Sequence, residues 1–392
     1  MIVYIDKAHI RNKRVLVRVD YNVTMGPKNK IADDARIRQS LPTLSKLLEG
    51  NNKLILMAHL GRPEERNEKD SLKPIVEDLK KMLPHVKVRL VEDFYSEEGY
   101  KMLSEQKEGE ILVLENIRFY EGERNNDEKF AKDLASLGDI FVNDGFGVSH
   151  RDSPSVTGVA KLLPSYGGLL LEREVEMISH IIRHPKKPFV AIIGGAKISG
   201  KLQLLYRLTE VADYLILGGG IANTFLLSEG KNIGKSLAEP DMIDEAKKIT
   251  EHAREKGTEI LNIEDVVVGE KNDLETGGEV KRVSEIGDSD VILDVGPQSQ
   301  ARYAKVILEA RTLIWNGPLG YIENPQYARG TDFLYYTITQ NSDVLSIVGG
   351  GDTMAALTKK EYLDKISHIS TGGGAMLEFI EKGTLPGIEV LK

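Results

Sequence analysis

Apolar residues along the chain gather into short, near-continuous runs at 14–20, 53–60, 111–114, 140–143, 189–193, 214–217, 291–295, 312–315 and 344–348. Runs without polar alternation predict strands covered on both faces, the habit of parallel sheets. Between them, apolar positions recur at helical spacing over 37–48, 72–82, 127–137, 201–212, 242–256, 302–310 and 353–362. This alternation predicts an α/β fold of wound βα units. Ligands of such sheets bind beyond the C-terminal ends of the strands, so the residues that follow each run carry the functional information.

One helical stretch stands apart. SYGGLLLEREVEMISHIIRHPKKP starts at a turn, continues as an amphipathic helix of about 15 residues and stops at Pro185 and Pro188. It predicts a domain boundary within 163–188 and a helix able to transmit a hinge motion. At 392 residues the chain accommodates two domains of about 150 to 200 residues each.

Composition narrows the partners. Hydrophobic residues make up 41% and charged residues 29%, with a net charge of -8. That balance is globular, and the acidic excess argues against nucleic acid or an acidic membrane as main partner while permitting a local basic cleft. No cysteine occurs, which excludes a disulfide scaffold, a thiolate nucleophile and a zinc–thiolate site, and makes reduced cytoplasm the natural compartment. No run approaches the roughly 18 apolar residues of a membrane span, and the N-terminus does not read as a targeting signal.

The residues after the runs differ between the two halves. In the second half four runs end in glycine clusters, Gly194-Gly195, Gly218 to Gly220, Gly349 to Gly351 and Gly372 to Gly374. Glycine there lets backbone pass close to a ligand and present bare N–H groups to phosphate oxygens. In the first half the runs end in Asp20 and Asn22, with Arg36 soon after, in His59 and Arg62, in Arg118, and in Asn143, Asp144, His150 and Arg151. One such arginine is ordinarily a solvated loop charge; four strand ends bearing Arg or His imply convergent binding of a small anion, because the strand ends of one sheet meet in space. Asp20 reads equally as a turn residue or as one that orients an arginine or a substrate hydroxyl. The asymmetry predicts a nucleotide site and an acidic-substrate site that face each other.

Familiar phosphate motifs are absent. In EGKNIGKSL, Gly230 and Gly234 are separated by three residues where a P-loop needs four. The glycine clusters also miss the dinucleotide fingerprint, with Asn223, Met354 and Leu377 at its third glycine. Lys197 and Lys201 in GGAKISGK share one face if a helix begins there, and either follow a phosphate or flank the helix as surface charge. Asp352 and Thr353 stand where an Asp either caps a helix or holds phosphate-bound Mg²⁺. Asn316, Pro318 and Glu323 lie beyond another strand, and Trp315, the sole tryptophan, reads as core.

Taken in order, RVDYNV, HLGRP, LENIRFYEGE, FVNDGFGVSHR, GGAKISGK, GGGIANTFL, GKSL, DVGP, WNGPLGYIE, GGGDT, STGGGAMLE and LPGI resemble the segments of the phosphoglycerate kinase family from end to end. The resemblance implies an α/β fold of two wound parallel-sheet, Rossmann-like lobes: an N-terminal 3-phosphoglycerate-binding lobe over 1–167, a hinge helix and linker over 168–187, and a nucleotide-binding lobe over 188–372. A C-terminal segment over 373–392 is expected to pack back on the first lobe. For the acid substrate it implies Asp20, Tyr21, Asn22, Arg36, His59, Leu60, Gly61, Arg62, Arg118 and Arg151. For the nucleotide it implies Gly195, Ala196, Lys197, Lys201, Gly218, Gly219, Gly220, Asn316, Pro318, Glu323, Gly350, Gly351, Asp352 and Thr353. Mg²⁺ is expected with ADP or ATP, beside Asp352. Catalytic roles fall to Arg36, Lys197, Gly350 and Gly373. The chain departs from the family pattern at Gly200, Thr24, Gly145 and Asp152-Ser153-Pro154, and Gly200 bears on where Lys201 sits.

The implied reaction is reversible phosphoryl transfer between 1,3-bisphosphoglycerate and ADP, in a cytoplasmic monomer that uses no nucleic acid or membrane. A carboxylate nucleophile is already ionised near neutral pH, so positioning and charge stabilisation carry the catalysis, after lobe closure. Two rivals remain: a kinase acting on a hydroxyl acceptor, which would need a carboxylate base, and a non-catalytic nucleotide-binding protein, which would tolerate loss of the strand-end arginines.

Overall fold

The structure is a computed structural model that describes residues 2–270, 278–356 and 360–392, with the side chains at 352, 355, 356, 360 and 361 outside the description. The chain forms two compact units, Met1–Glu176 with Lys382–Lys392, and Met177–Glu381.

The first unit is built on a six-stranded parallel sheet of β1 (Arg14–Arg18), β2 (Lys53–Met57), β3 (Val88–Val91), β4 (Ile111–Leu114), β5 (Ile140–Asn143) and β6 (Ser165–Gly167), in the order β3-β4-β2-β1-β5-β6. Its inner strands read as uninterrupted aliphatic runs because both faces are covered: Val15, Leu16, Val17, Leu54, Ile55 and Leu56 have no exposed surface. The helix Ala35–Leu48 lays Ile37, Leu44 and Leu47 onto the sheet, each such side chain contributing about 1.5–3 kcal/mol through burial. Register places Arg18 opposite Met57 on one side and Asn143 on the other. The ends of β1, β2 and β5 therefore deliver Asp20, His59 and Asp144 to one edge.

The C-terminal residues that belong to this unit are Lys382–Lys392; the rest of the 373–392 segment groups with the second unit. Gly387 donates its N–H to the Ser149 carbonyl at 2.8 Å, and the amide of buried Asn143 donates to the Gly387 carbonyl at 2.9 Å and to Ser149 Oγ at 3.0 Å. A Cβ at Gly387 would meet Val156 Cγ1 at 2.6 Å, so only glycine allows this approach. Buried Leu385 and Ile388 complete the seal.

The helix Leu169–Arg183 has the extent expected from its sequence, and the division between the units falls within it. Its first turn is anchored by Asp144, whose Oδ1 accepts from Leu170 N–H at 3.0 Å.

The second unit repeats the architecture. β7 (Phe189–Ile193), β8 (Tyr214–Leu217), β9 (Glu259–Ile260), β13 (Thr312–Asn316), β14 (Leu345–Gly349) and β15 (His368–Ile369) form a parallel sheet in the order β15-β14-β13-β7-β8-β9. Trp315, fully buried, lies in its core and donates to the Gly317 carbonyl at 2.8 Å. The remaining strands, β10 (Asp265–Val268), β11 (Glu279–Arg282) and β12 (Ile292–Val295), make a separate antiparallel sheet. The run at 291–295 was expected in a parallel sheet and belongs here instead. Leu293, Asp294 and Val295 are buried in turn, and a strand covered on both faces shows the same pattern in either orientation.

Replacing Asn143 by Ala leaves the Gly387 carbonyl and Ser149 without their buried donor. The urea midpoint of the first unit should fall by the equivalent of about 1–3 kcal/mol, read by denaturant titration against the unaltered protein.

Candidate active site

In the first unit a basin of 590 Å³ opens among Arg18, Arg62, Arg118, Arg124 and Arg151, with Glu64, Glu123 and Asp152 also in its wall. The arginines come from different strand ends, and their crowding shows in the chemistry. Burial, then Arg151 and Arg18, pull the Arg118 guanidinium down to about 10. His59 is buried beside them, and burial, then Arg18, Arg118, Arg151 and Arg36, hold its imidazole well below the ordinary value of 6.5. Arg18 lies 3.3 Å from His59 Nδ1. A guanidinium only donates, so Nδ1 accepts and the neutral ring carries its proton on Nε2.

A hydrogen-bonded chain holds the rest. Asp20, at the end of β1, pairs with Arg36 at 3.0 Å, and Arg36 also donates to the Asn22 carbonyl at 2.9 Å. The Asn22 amide oxygen accepts from Gly61 N–H at 2.9 Å, and the Gly61 carbonyl accepts from Arg118. Gly61 has φ +66°, and a Cβ there would meet Asp70 Oδ1 at 2.5 Å. Asp20 thus orients Arg36 as well as shaping the turn, accepting from Asn22 N–H.

The structure brings together Asp20, Asn22, Arg36, His59, Gly61, Arg62, Arg118 and Arg151. It turns two other expected residues inward. Tyr21 is fully buried with its hydroxyl 2.9 Å from Ser40 Oγ, and the Leu60 side chain is core, so only their backbone lies along the site. Asp144 serves the fold, its carboxyl pushed up to about 7 by burial. Sequence reasoning missed Arg18, Arg124 and Glu123. Arg18 was the legible one, since a lone cation inside an aliphatic strand demands a partner. Its Nε donates to Ser155 Oγ at 3.0 Å, and Ser155 in turn donates to buried Glu123 at 2.7 Å.

In the second unit a slot of 270 Å³ runs between the ends of several strands. Gly195, Ala196, Gly219, Gly220, Pro318 and Glu323 line it, together with Leu237, Val266, Leu293, Leu319 and Tyr321, which the sequence did not single out. The glycines here act by close packing more than by donation. A Cβ at Gly220 would meet the Ala196 carbonyl at 2.1 Å, and Gly219 N–H is already taken by the Leu319 carbonyl at 2.9 Å. Buried Asp294 closes one wall, accepting from Gly330 N–H at 2.8 Å, and burial lifts its carboxyl to about 7.

Polar groups gather at the ends of β13 and β14. Lys201 Nζ donates to the Gly194 carbonyl at 2.7 Å and to Asn316 Oδ1 at 3.2 Å, while Asn316 Nδ2 donates to the Gly349 carbonyl at 2.8 Å. Buried Thr353 Oγ1 accepts from Gly317 N–H at 2.7 Å. Gly350 has φ +113°, and a Cβ on Gly373 would lie 2.3 Å from Gly350 Cα. Among the described residues, no acceptor engages the N–H of Gly350 or Gly373.

The expected shared helical face of Lys197 and Lys201 is corrected: the α-helix begins at Leu202, after a 3₁₀ turn at Ser199–Lys201. Lys197 is exposed on the preceding loop, and Lys201 turns inward. Glu239, accepting from Ser199 N–H at 2.9 Å and its hydroxyl at 2.7 Å, fixes this loop without help from position 200. Gly351 starts a helix, Gly351–Ala356, that includes Asp352, whose side chain lies outside the described residues. Gly218 precedes the helix Gly219–Ser228 as its N-cap.

An arginine basin for a small polyanion on one wound sheet, and a glycine-walled, partly apolar slot ending in polar groups on another, define a phosphotransferase that handles a nucleotide and an anionic substrate. A family model described as phosphoglycerate kinase matches residues 5–383. Proteins named phosphoglycerate kinase from Legionella pneumophila and Coprothermobacter proteolyticus are 46% and 42% identical, over 98% and 99% of this chain and 95% and 98% of theirs. A solved phosphoglycerate kinase from Coxiella burnetii superposes with a TM-score of 0.87 at 39% identity, covering 100% of this chain and 99% of its own. That of Pyrococcus horikoshii does so at 0.84 and 29%, covering 99% and 98%. The chain belongs to the phosphoglycerate kinase family.

Two outcomes test these sites. The folded imidazole of His59 refuses a proton that the unfolded chain accepts below about pH 6.5. Its ring should stay neutral in NMR titration through that value, and the first unit should lose stability as the pH falls below it. Second, Gly373→Ala forces backbone apart at Gly350 and should weaken ADP binding about tenfold or more, measured by calorimetry.

Proposed function

We propose that the protein catalyses reversible transfer of a phosphoryl group between the carboxyl of 1,3-bisphosphoglycerate and ADP, yielding 3-phosphoglycerate and ATP. The arginine crowding around neutral His59 carries this reading, because it describes cationic charge organised for an incoming phosphate. Arg62, Arg118 and Arg151 hold the phosphate of the acid that does not react, with His59 Nε2–H available as a neutral donor. Arg36, set by Asp20, is the cation for the group in transfer. On the second unit the apolar walls around Leu293 and Leu319 take the base, Glu323 meets the ribose, and Lys197 and Lys201 meet the phosphates.

The acceptor is a carboxylate, ionised at neutral pH, so no base is needed to generate the nucleophile. Its oxygen attacks phosphorus in line as the bond to the nucleotide's bridging oxygen breaks, with the negative charge spread over the transferring oxygens. Lys197, Arg36 and the N–H groups of Gly350 and Gly373 answer that charge. Mg²⁺ arrives as part of the nucleotide substrate and neutralises its phosphates, with Asp352 the residue offered to it. Direct transfer requires both ligand sets to meet around one phosphoryl group and exclude water, hence closure. Cytoplasmic residence and a monomeric state complete the proposal. Among the described residues no helix is long and apolar enough to cross a membrane.

A coupled assay for ADP release from MgATP with and without 3-phosphoglycerate tests the activity, and turnover independent of the acid would refute it. Arg36→Ala should lower kcat by on the order of 10³ while leaving ADP affinity near normal; steady-state kinetics paired with ADP calorimetry check both halves.

A further inference from the structure

The basin carries a charge that anion binding does not require. Asp152 is exposed, follows Arg151 directly and forms part of the same wall as Arg62, Arg118 and Arg151. Its carboxylate is held in place: Oδ1 accepts the hydroxyl of buried Thr157, on the turn Pro154–Gly158 whose N–H groups close onto the Ser153 carbonyl. Of the three acids in the wall, Glu123 is occupied. It is buried and accepts from Ser153 Oγ at 3.0 Å, Ser155 Oγ at 2.7 Å and Ser155 N–H at 3.0 Å. Glu64 and Asp152 are both exposed, and Asp152 is the one seated by Thr157.

We propose that Asp152 sets the strength of the basin, a pinned carboxylate that holds down its affinity for small polyanions in general. A cavity of 590 Å³ taken as a sphere has a radius of about 5 Å, inside the screening length of about 8 Å at physiological salt, so a phosphate or sulfate seated centrally among the arginines lies within the field of a charge on the wall. Each added negative charge on the ligand raises the cost. Inorganic anions and the acid substrate are then both held less tightly than the arginines alone would hold them. Product release is eased by the same repulsion. This inference rests on the phosphoglycerate reading only for the identity of the preferred occupant.

The test is calorimetric titration of wild type and Asp152→Asn with 3-phosphoglycerate and, separately, with sulfate. Asparagine keeps an oxygen for Thr157 and removes the charge. Both affinities should rise about three- to tenfold at low salt, and the gain should shrink as salt is added. Asp152→Glu, which retains the charge, should stay near wild type and so exclude a merely steric effect. Unchanged or weakened binding of both anions by Asp152→Asn would overturn the proposal. If wild type binds sulfate but not 3-phosphoglycerate, the assigned substrate falls; a rise in sulfate affinity in Asp152→Asn would still support the role of Asp152.

Discussion

Positive charge crowded into one basin of the first unit is the constraint on which the rest depends. Guanidinium groups brought this close repel one another, and a folded protein tolerates that only where rigid surroundings hold them. Here the holding is explicit. Arg18 is tethered through Ser155 to buried Glu123, Arg36 is tied to Asp20, and Arg118 is fixed to the Gly61 carbonyl. An anion bound among these groups relieves the repulsion, so the same geometry that costs stability supplies binding.

The two units solve related problems by different means. The first collects side-chain charge, suited to an acid whose phosphate is compact and fixed. The second removes side chains, so that glycine backbone and apolar walls line its slot. Gly220 against the Ala196 carbonyl and Gly373 against Gly350 show how little room remains. Catalysis by positioning fits both, because a carboxylate acceptor is its own nucleophile and needs no general base.

Much of this was legible in the chain, and what escaped had a common cause. The strands missed at the sheet edges, β3, β6, β9 and β15, are covered less completely than the central ones and so lack long apolar runs; β9 and β15 hold only two residues each. Glu123 escaped because it is ordinary alone and gains meaning only through Arg18, whose place inside an aliphatic strand was the legible signal. The resemblance implies Tyr21 and Leu60 in the site, and the fold turns their side chains into the core, because successive side chains along extended backbone point to opposite sides. The slot's apolar walls, Leu237, Leu293 and Leu319, carry no local signature that separates them from core.

Residue pattern alone determined the wound α/β class, the strand-end positions that bear chemistry, and the contrast between an arginine-rich half and a glycine-rich half, because periodicity and punctuation are local properties. Tertiary structure decided which cations share a basin, that His59 is neutral, that Lys201 turns inward while Lys197 stays exposed, and that the last residues close onto Asn143. Those outcomes depend on distances between residues remote in the chain, where burial and Coulomb forces act through space and leave no mark on sequence spacing.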